Sequence, residues 1–314
     1  MQHHTTRTRS YPQTRLSRRE FGAGLSAAAL AATLGTTPRD THAMETQDET
    51  AIPLKIGHRA ASMKMVGDFD VFKMARRMPG LIGVELQVAH GKPNLRDWDA
   101  VRRYKREANR WGMMIPSVAG IFDRGVSMLG GPPEVRDNLG QAVRVAEFLG
   151  ASVALVAFFR DKAPDMTDES SYGPVVELLQ EAAPKAAEAG VTFGLENSLS
   201  PAHNQKLVDL VDHPNVLVYY DPCNMAHYGY EKEAVPGIRL LGKERICQVH
   251  VKNGKDLIEQ AGPVDWPAAF EALHAIGYEG WYVFESQHAD PADVIADTNK
   301  NIAFLQEHCK MPVG

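Results

Sequence analysis

Four side chains able to hold a metal ion or move a proton, Glu196, Asp221, His250 and Glu285, follow one another at separations of 25, 29 and 35 residues. Each closes a short apolar run and precedes turn-forming or polar residues, and each interval is one βα unit long. Three carboxylates and an imidazole, with no thiolate, make a hard, oxygen-rich donor set. Such a set suits Mn²⁺ or Mg²⁺ better than a structural zinc.

The elements that must position these residues begin at Leu54. From there, short apolar runs alternate with longer helical patterns, and eight strands are expected: Leu54–His58, Gly83–Gln87, Met113–Ser117, Ser152–Phe158, Thr192–Glu196, Val216–Asp221, Ile246–His250 and Trp281–Glu285. Between them, Pro133–Leu149 places Val135, Leu139, Ala142, Val143, Ala146 and Leu149 on one helical face before Gly150. Another helix opens at Asp265, read as its N-cap, and stacks Trp266, Phe270 and Leu273.

The strand faces favour a closed barrel over an open sheet. In Ile246–Lys252, apolar Cys247, Val249 and Val251 alternate with polar Gln248, His250 and Lys252. Phe193 and Leu195 oppose Glu196 in the same way, and Tyr282 and Phe284 oppose Glu285. A parallel sheet covered by helices on both sides would read as apolar on both. A single-domain α/β fold, a (β/α)8 TIM barrel over residues 54–310, explains the split, because the carboxyl ends of its strands converge on one mouth. No Gly-x-Gly-x-x-Gly follows the first strand, and no Gly-Lys-Ser/Thr phosphate loop occurs.

The amino-terminal segment has the parts of an export signal. Arg7, Arg9, Arg15, Arg18 and Arg19 precede a run rich in Ala, Gly and Leu from Phe21 to Leu34, and Thr41-His42-Ala43 offers small residues for cleavage. Ser17-Arg18-Arg19-Glu20-Phe21 resembles the twin-arginine motif. Residues 1–43 are therefore read as a twin-arginine signal peptide and 44–53 as a short linker, with the translocase as partner during export and the periplasm as destination. The apolar run is too short for a membrane anchor, which needs about 20 residues.

With 314 residues, 44% hydrophobic and 23% charged, the composition is that of a globular protein and excludes a disordered, collagenous or disulfide-caged chain. Cys223, Cys247 and Cys309 form no Cys-x-x-Cys spacing, and Cys223 is read as a packing residue with no base beside it. The six arginines of residues 1–43 face only Glu20 and Asp40, so an overall charge of −5 leaves the remainder at −9. That sign disfavours a nucleic-acid partner.

Around the four chemical residues the chain resembles the xylose isomerase-like TIM barrels, the superfamily of sugar phosphate isomerases and epimerases that also contains the endonuclease IV fold. The resemblance spans roughly Ile56 to Gln306. It rests on Gly194-Leu195-Glu196-Asn197, Tyr220-Asp221-Pro222-Cys223-Asn224, Val249-His250-Val251-Lys252-Asn253, Gly262-Pro263-Val264-Asp265-Trp266, Gly277-Tyr278-Glu279-Gly280 and Phe284-Glu285.

The resemblance implies that Glu196, Asp221, His250 and Glu285 hold one divalent ion, Mn²⁺ first, with Mg²⁺, Co²⁺ or Zn²⁺ as alternatives. It further implies that Glu196 and Glu285 serve as general bases and acids on opposite faces of a sugar or sugar derivative. The expected reaction is isomerisation or epimerisation through an enediolate. A lyase or dehydratase acting on a keto-sugar, inosose or 3-keto-glycoside shares the first step, and a non-catalytic sugar-binding protein is a third possibility. The substrate contacts expected are Lys252, two residues beyond His250, with Glu85 and Gln87 on the second strand, Asn224 and His58. His58 and Arg59 both end the first strand, and alternation alone does not say which faces inward. An oligomer is compatible with the sequence.

Two departures narrow the resemblance. The three-zinc endonucleases carry a histidine three residues after the aspartate, where this chain has Asn224, and His227 is read as a loop residue. The ketohexose 3-epimerases carry a further Glu after the first ligand and an Arg after the metal His, where this chain reads Ser198-Leu199-Ser200-Pro201-Ala202 and Lys252-Asn253-Gly254-Lys255.

Overall fold

The computed structural model describes residues 54–87, 95–119, 127–288 and 290–309. The expected signal peptide and linker lie outside the described residues. Eight parallel strands close in sequence order into a barrel: β1 (Lys55–Arg59), β2 (Gly83–Gln87), β3 (Ser117–Ala119), β4 (Val153–Phe158), β5 (Thr192–Asn197), β6 (Val216–Tyr220), β7 (Ile246–Val251) and β8 (Trp281–Phe284). β8 pairs with β1 to complete the ring.

The outer layer is α1 (Val71–Ala75), α2 (Trp98–Trp111), α3 (Pro133–Leu149), α4 (Glu169–Glu188), α5 (Pro201–Val211), α8 (Pro236–Arg245), α9 (Trp266–Ala275) and α10 (Val294–Cys309). Short α6 (Pro222–Met225) and α7 (Glu231–Ala234) lie between β6 and α8. α3 has the expected bounds, and the Asp265 carboxylate accepts from Ala268 N to cap α9 as its position foretold. Among the described residues no helix is long and apolar enough to cross a membrane.

Two layers of apolar contact hold the barrel. Outward-facing Phe193, Leu195, Val249, Val251 and Phe284 are buried beneath the helices with Phe72, Leu207 and Phe270. Fully burying such a side chain contributes roughly 1.5–3 kcal/mol. Inside, Ala119, Val153, Leu155 and Tyr219 form a second cluster. Gly83 makes room near the amino-terminal end, because a Cβ there would stand 2.6 Å from the Trp281 ring.

Two expectations are corrected here. The third strand starts at Ser117, the last residue of the run expected for it. Met114 makes only an isolated bridge to Gly83, and Pro116, lacking an N–H, interrupts the ladder. Cys247 does not share the helix-facing side with Val249 and Val251. The register between β6 and β7 shifts from Val218↔Ile246 to Tyr219↔Gln248, so Cys247 is an extra residue that packs against the inner cluster.

Candidate metal centre

Each of the four chemical residues stands at or just past the carboxyl end of its strand. Glu196 is the penultimate residue of β5 and His250 that of β7, whereas Asp221 and Glu285 immediately follow β6 and β8. Asp221 leaves the ladder because its Oδ1 accepts from Asn224 N at 2.9 Å and caps α6. Glu285 N still donates to Val251 O at 3.0 Å, which ties the residue to β7. Parallel register does the rest: one ligand atom from each of the four lies within 4.8 Å of all the others.

His250 is central to the group. Its Nδ1 lies 3.2 Å from Glu196 Oε1, 3.6 Å from Glu285 Oε2 and 3.9 Å from Asp221 Oδ2. The side chains of His250 and Asp221 are wholly buried, while Glu285 is 18% exposed, so the centre opens on the Glu285 side. Asp221 Oδ2 is buried with no hydrogen bond, although Lys252 Nζ approaches it to 2.7 Å as an ion pair. Three carboxylates and an imidazole converging on one point are the donor chemistry a divalent cation requires, and the residues fit such an ion.

The profile of the family described as Xylose isomerase-like TIM barrel matches residues 72–308. The chain belongs to this family. Among solved structures it is similar to an L-ribulose 3-epimerase, with TM-score 0.66 and 18% identity over 82% of this chain and 95% of that one. It is also similar to a D-allulose 3-epimerase from Methylomonas sp. in complex with D-allulose, with TM-score 0.64 and 19% identity over 82% and 97%. A 3-keto-D-glucoside 4-epimerase from E. coli aligns with TM-score 0.58 and 17% identity over 81% and 99%. At these identities the likeness is one of fold. No curated protein matches the sequence.

On this family scaffold the two glutamates sit in opposite surroundings. Burial pushes the Glu285 carboxyl up, but Arg59, His250 and Lys252 outweigh it and hold the group well below the usual carboxylate range. Burial also raises Glu196, His250 offsets part of that, and neighbouring Glu285 and Asp221 add to the rise, leaving it above its ordinary value. For His250, burial opposes the charged form, yet Glu285, Glu196 and Glu85 push its pKa up to about 10.

The structure brings Lys252 and Asn224 into the centre. Lys252 Nζ lies 2.6 Å from Glu285 Oε2 and donates to Asn224 Oδ1 at 3.0 Å, and Asn224 Nδ2 donates to Glu196 Oε1 at 2.7 Å. Of His58 and Arg59, left open by the sequence, Arg59 is the one that faces inward. It shares the inward face of β1 with Gly57, pairs with Glu285 and reaches Glu85 with Nε at 3.3 Å. Gly57, small enough to lie against Val283 and Pro116, marks that inward face.

Of the other three expected contacts, His58 and Glu85 are fully buried and Gln87 ends β2. His58 points away from the mouth: fully buried, it packs against Phe284 and His288, with ring centroids 6.1 and 5.6 Å away, and its Nδ1 meets Arg59 O at 3.2 Å. Burial first, and His288 second, lower its pKa to about 3. Glu85 faces inward but is fully buried below His250, a floor residue with no opening to a substrate. Gln87 is half-buried at the end of β2, paired with Ala119. Cys223 is a packing residue as expected, its thiol pushed up to about 11 by burial and by Asp221. His227, expected in a loop, is exposed in a π-helical turn, Ala226–Tyr230, and set edge-on against Tyr228.

The loop after β7 explains the Gly262 to Trp266 motif. Trp266 Nε1 donates to Lys252 O at 3.1 Å and so anchors the backbone of the lysine at the centre. Asn253 Nδ2 donates to Leu257 O and Gln260 O at 3.0 and 3.1 Å, closing the loop. A Cβ at position 262 would stand 1.8 Å from Asn253 Oδ1, which is why that position is glycine.

Proposed function

We propose that this protein is a divalent-metal-dependent enzyme that isomerises or epimerises a sugar or sugar derivative by moving a proton on the carbon beside a carbonyl. The observation that carries the reading is the convergence of Glu196, Asp221, His250 and Glu285 within 4.8 Å at the barrel mouth. When bound there, a divalent cation supplies Lewis acidity to a carbonyl and its neighbouring hydroxyl. Asp221 and His250 are the purely ligating members. Glu196 and Glu285 approach from β5 and β8, with two strands between them, and so can exchange a proton with opposite faces of one carbon.

The surroundings support that division of labour. Asn224 holds Glu196 through a neutral amide, whereas Glu285 is held between Arg59 and Lys252. Two carboxylates in unlike settings are what a donor and acceptor of the same proton require. The Arg18-Arg19 pair ahead of an apolar run supports export to the periplasm by the twin-arginine route, which carries folded proteins.

The test is turnover in heavy water over a panel of keto-sugars and 3-keto-glycosides, with protein stripped by chelator and reloaded with Mn²⁺. Deuterium should enter the carbon next to the carbonyl only in reloaded protein, and Glu196→Gln and Glu285→Gln should each suppress it at full metal content. Release of water or a second fragment would redirect the assignment to elimination. Exchange by metal-free protein, or none on any member of the panel, would refute the proposal.

A further inference from the structure

The imidazole of His250 offers its two nitrogens to different carboxylates. Nδ1 faces Glu196, Asp221 and Glu285, and Nε2 faces Glu85 Oε1 at 3.4 Å. Glu85, on β2, is fully buried. Its Oε2 accepts from Ser117 Oγ at 2.8 Å and from the Tyr219 hydroxyl at 2.7 Å. Gln248 Nε2 donates to both of those hydroxyl oxygens at 2.8 Å, so each hydroxyl hydrogen is directed at Glu85. Oε1 faces His250 Nε2 within hydrogen-bond reach and Arg59 Nε at 3.3 Å as an ion pair. A carboxyl facing three hydrogen-bond donors and a guanidinium acts only as an acceptor.

We propose that Glu85 is the positioning residue of the metal centre: by accepting Nε2–H of His250 it sets the plane of the imidazole and leaves Nδ1 as the nitrogen that faces the three carboxylates and would bind the ion. This rests on the divalent-metal reading of the site. A ligating imidazole characteristically gives its other N–H to a carboxylate, which sets the ring plane and raises its basicity. The Tyr219 ring, 4.2 Å from that of His250 between centroids, braces the same orientation from below. Glutamine cannot substitute at position 85. Its one carbonyl oxygen would be claimed by the Ser117 and Tyr219 hydroxyls, leaving an amide NH₂ against the donors of Arg59 and His250.

The experiment is Mn²⁺ titration of the full chain by calorimetry for wild type and Glu85→Gln, with unfolding curves to confirm that the variant folds. Affinity should fall about 10- to 100-fold. A second measurement uses wild type alone: a long-range ¹H–¹⁵N spectrum of Mg²⁺-loaded protein, with His250 assigned by its loss in His250→Asn, should show the proton on Nε2 and none on Nδ1. Unchanged affinity in folded Glu85→Gln, or a proton on Nδ1, would overturn the role of Glu85 and leave the metal centre standing. Failure of wild type to bind Mn²⁺ or Mg²⁺ would instead overturn the reading beneath it.

Discussion

Replacing Lys252 with methionine preserves the length of the side chain and removes a charge that sits on two of the four converging residues. Its ammonium lies 2.7 Å from Asp221 Oδ2 and 2.6 Å from Glu285 Oε2, with the side chain only 16% exposed. A divalent ion drawing on those same oxygens must share them with this cation. Unit charges about 4 Å apart interact by about 1 kcal/mol in bulk water and about 4 kcal/mol at an effective dielectric of about 20. Even near the screened end, relief of repulsion on a doubly charged ion exceeds ~1.4 kcal/mol, so Lys252→Met should bind Mn²⁺ at least about tenfold more tightly. Without metal the balance reverses. Asp221 and Glu285 lose a shared partner, and because Glu285 keeps Arg59, the cost should lie near the lower end of the roughly 3–5 kcal/mol for breaking a buried pair. Calorimetric Mn²⁺ titration, with urea unfolding in chelator and in saturating Mn²⁺, reads both effects. Weaker Mn²⁺ binding by the variant would refute the reasoning and make Lys252 an organiser of the ligands.

His58 titrates near pH 6.5 when unfolded but is pressed to about 3 when folded, by burial and then by His288. The unfolded state therefore binds the extra proton below pH 6.5, and stability falls with acid by up to about 1.4 kcal/mol per pH unit, with no effect above 6.5. His58→Gln should lose about 2 kcal/mol less than wild type between pH 6.5 and 5 in urea unfolding, and equal slopes would refute this. Gly262→Ala should cost about 2–4 kcal/mol, because Asn253 must give up both loop-closing bonds, whereas Gly140→Ala in α3, with only Arg144 Nη1 at 3.6 Å, should stabilise by up to about 1 kcal/mol. Paired thermal or urea midpoints check the two signs. Lys at both Arg18 and Arg19 should leave uncleaved enzyme in the cytoplasm on fractionation, and normal export would refute twin-arginine targeting.

The barrel and the four side chains that converge at its mouth were legible in the chain because they depend on local periodicity. A strand with helices on one side and a polar mouth on the other must alternate, and Glu196, His250 and Glu285 fall on the polar phase of that alternation. The helix bounds at Pro133 and Asp265 were legible for the same reason, since turn and cap chemistry is written in neighbouring residues. Only the closed structure decided the rest. Lys55-Ile56-Gly57-His58-Arg59 is polar at both ends, so alternation could not choose between His58 and Arg59 until β1 met β8 and put Gly57 against Val283. The inward turn of Cys247 comes from a register shift that involves β6 as much as β7. Glu85 looked like a residue of the mouth and became the floor of the centre through Tyr219, 134 residues away, and His250, 165 away. Alternation assigns a residue to a face, but its depth in a barrel and the charges it meets there depend on strands brought beside it by closure, which no local pattern encodes.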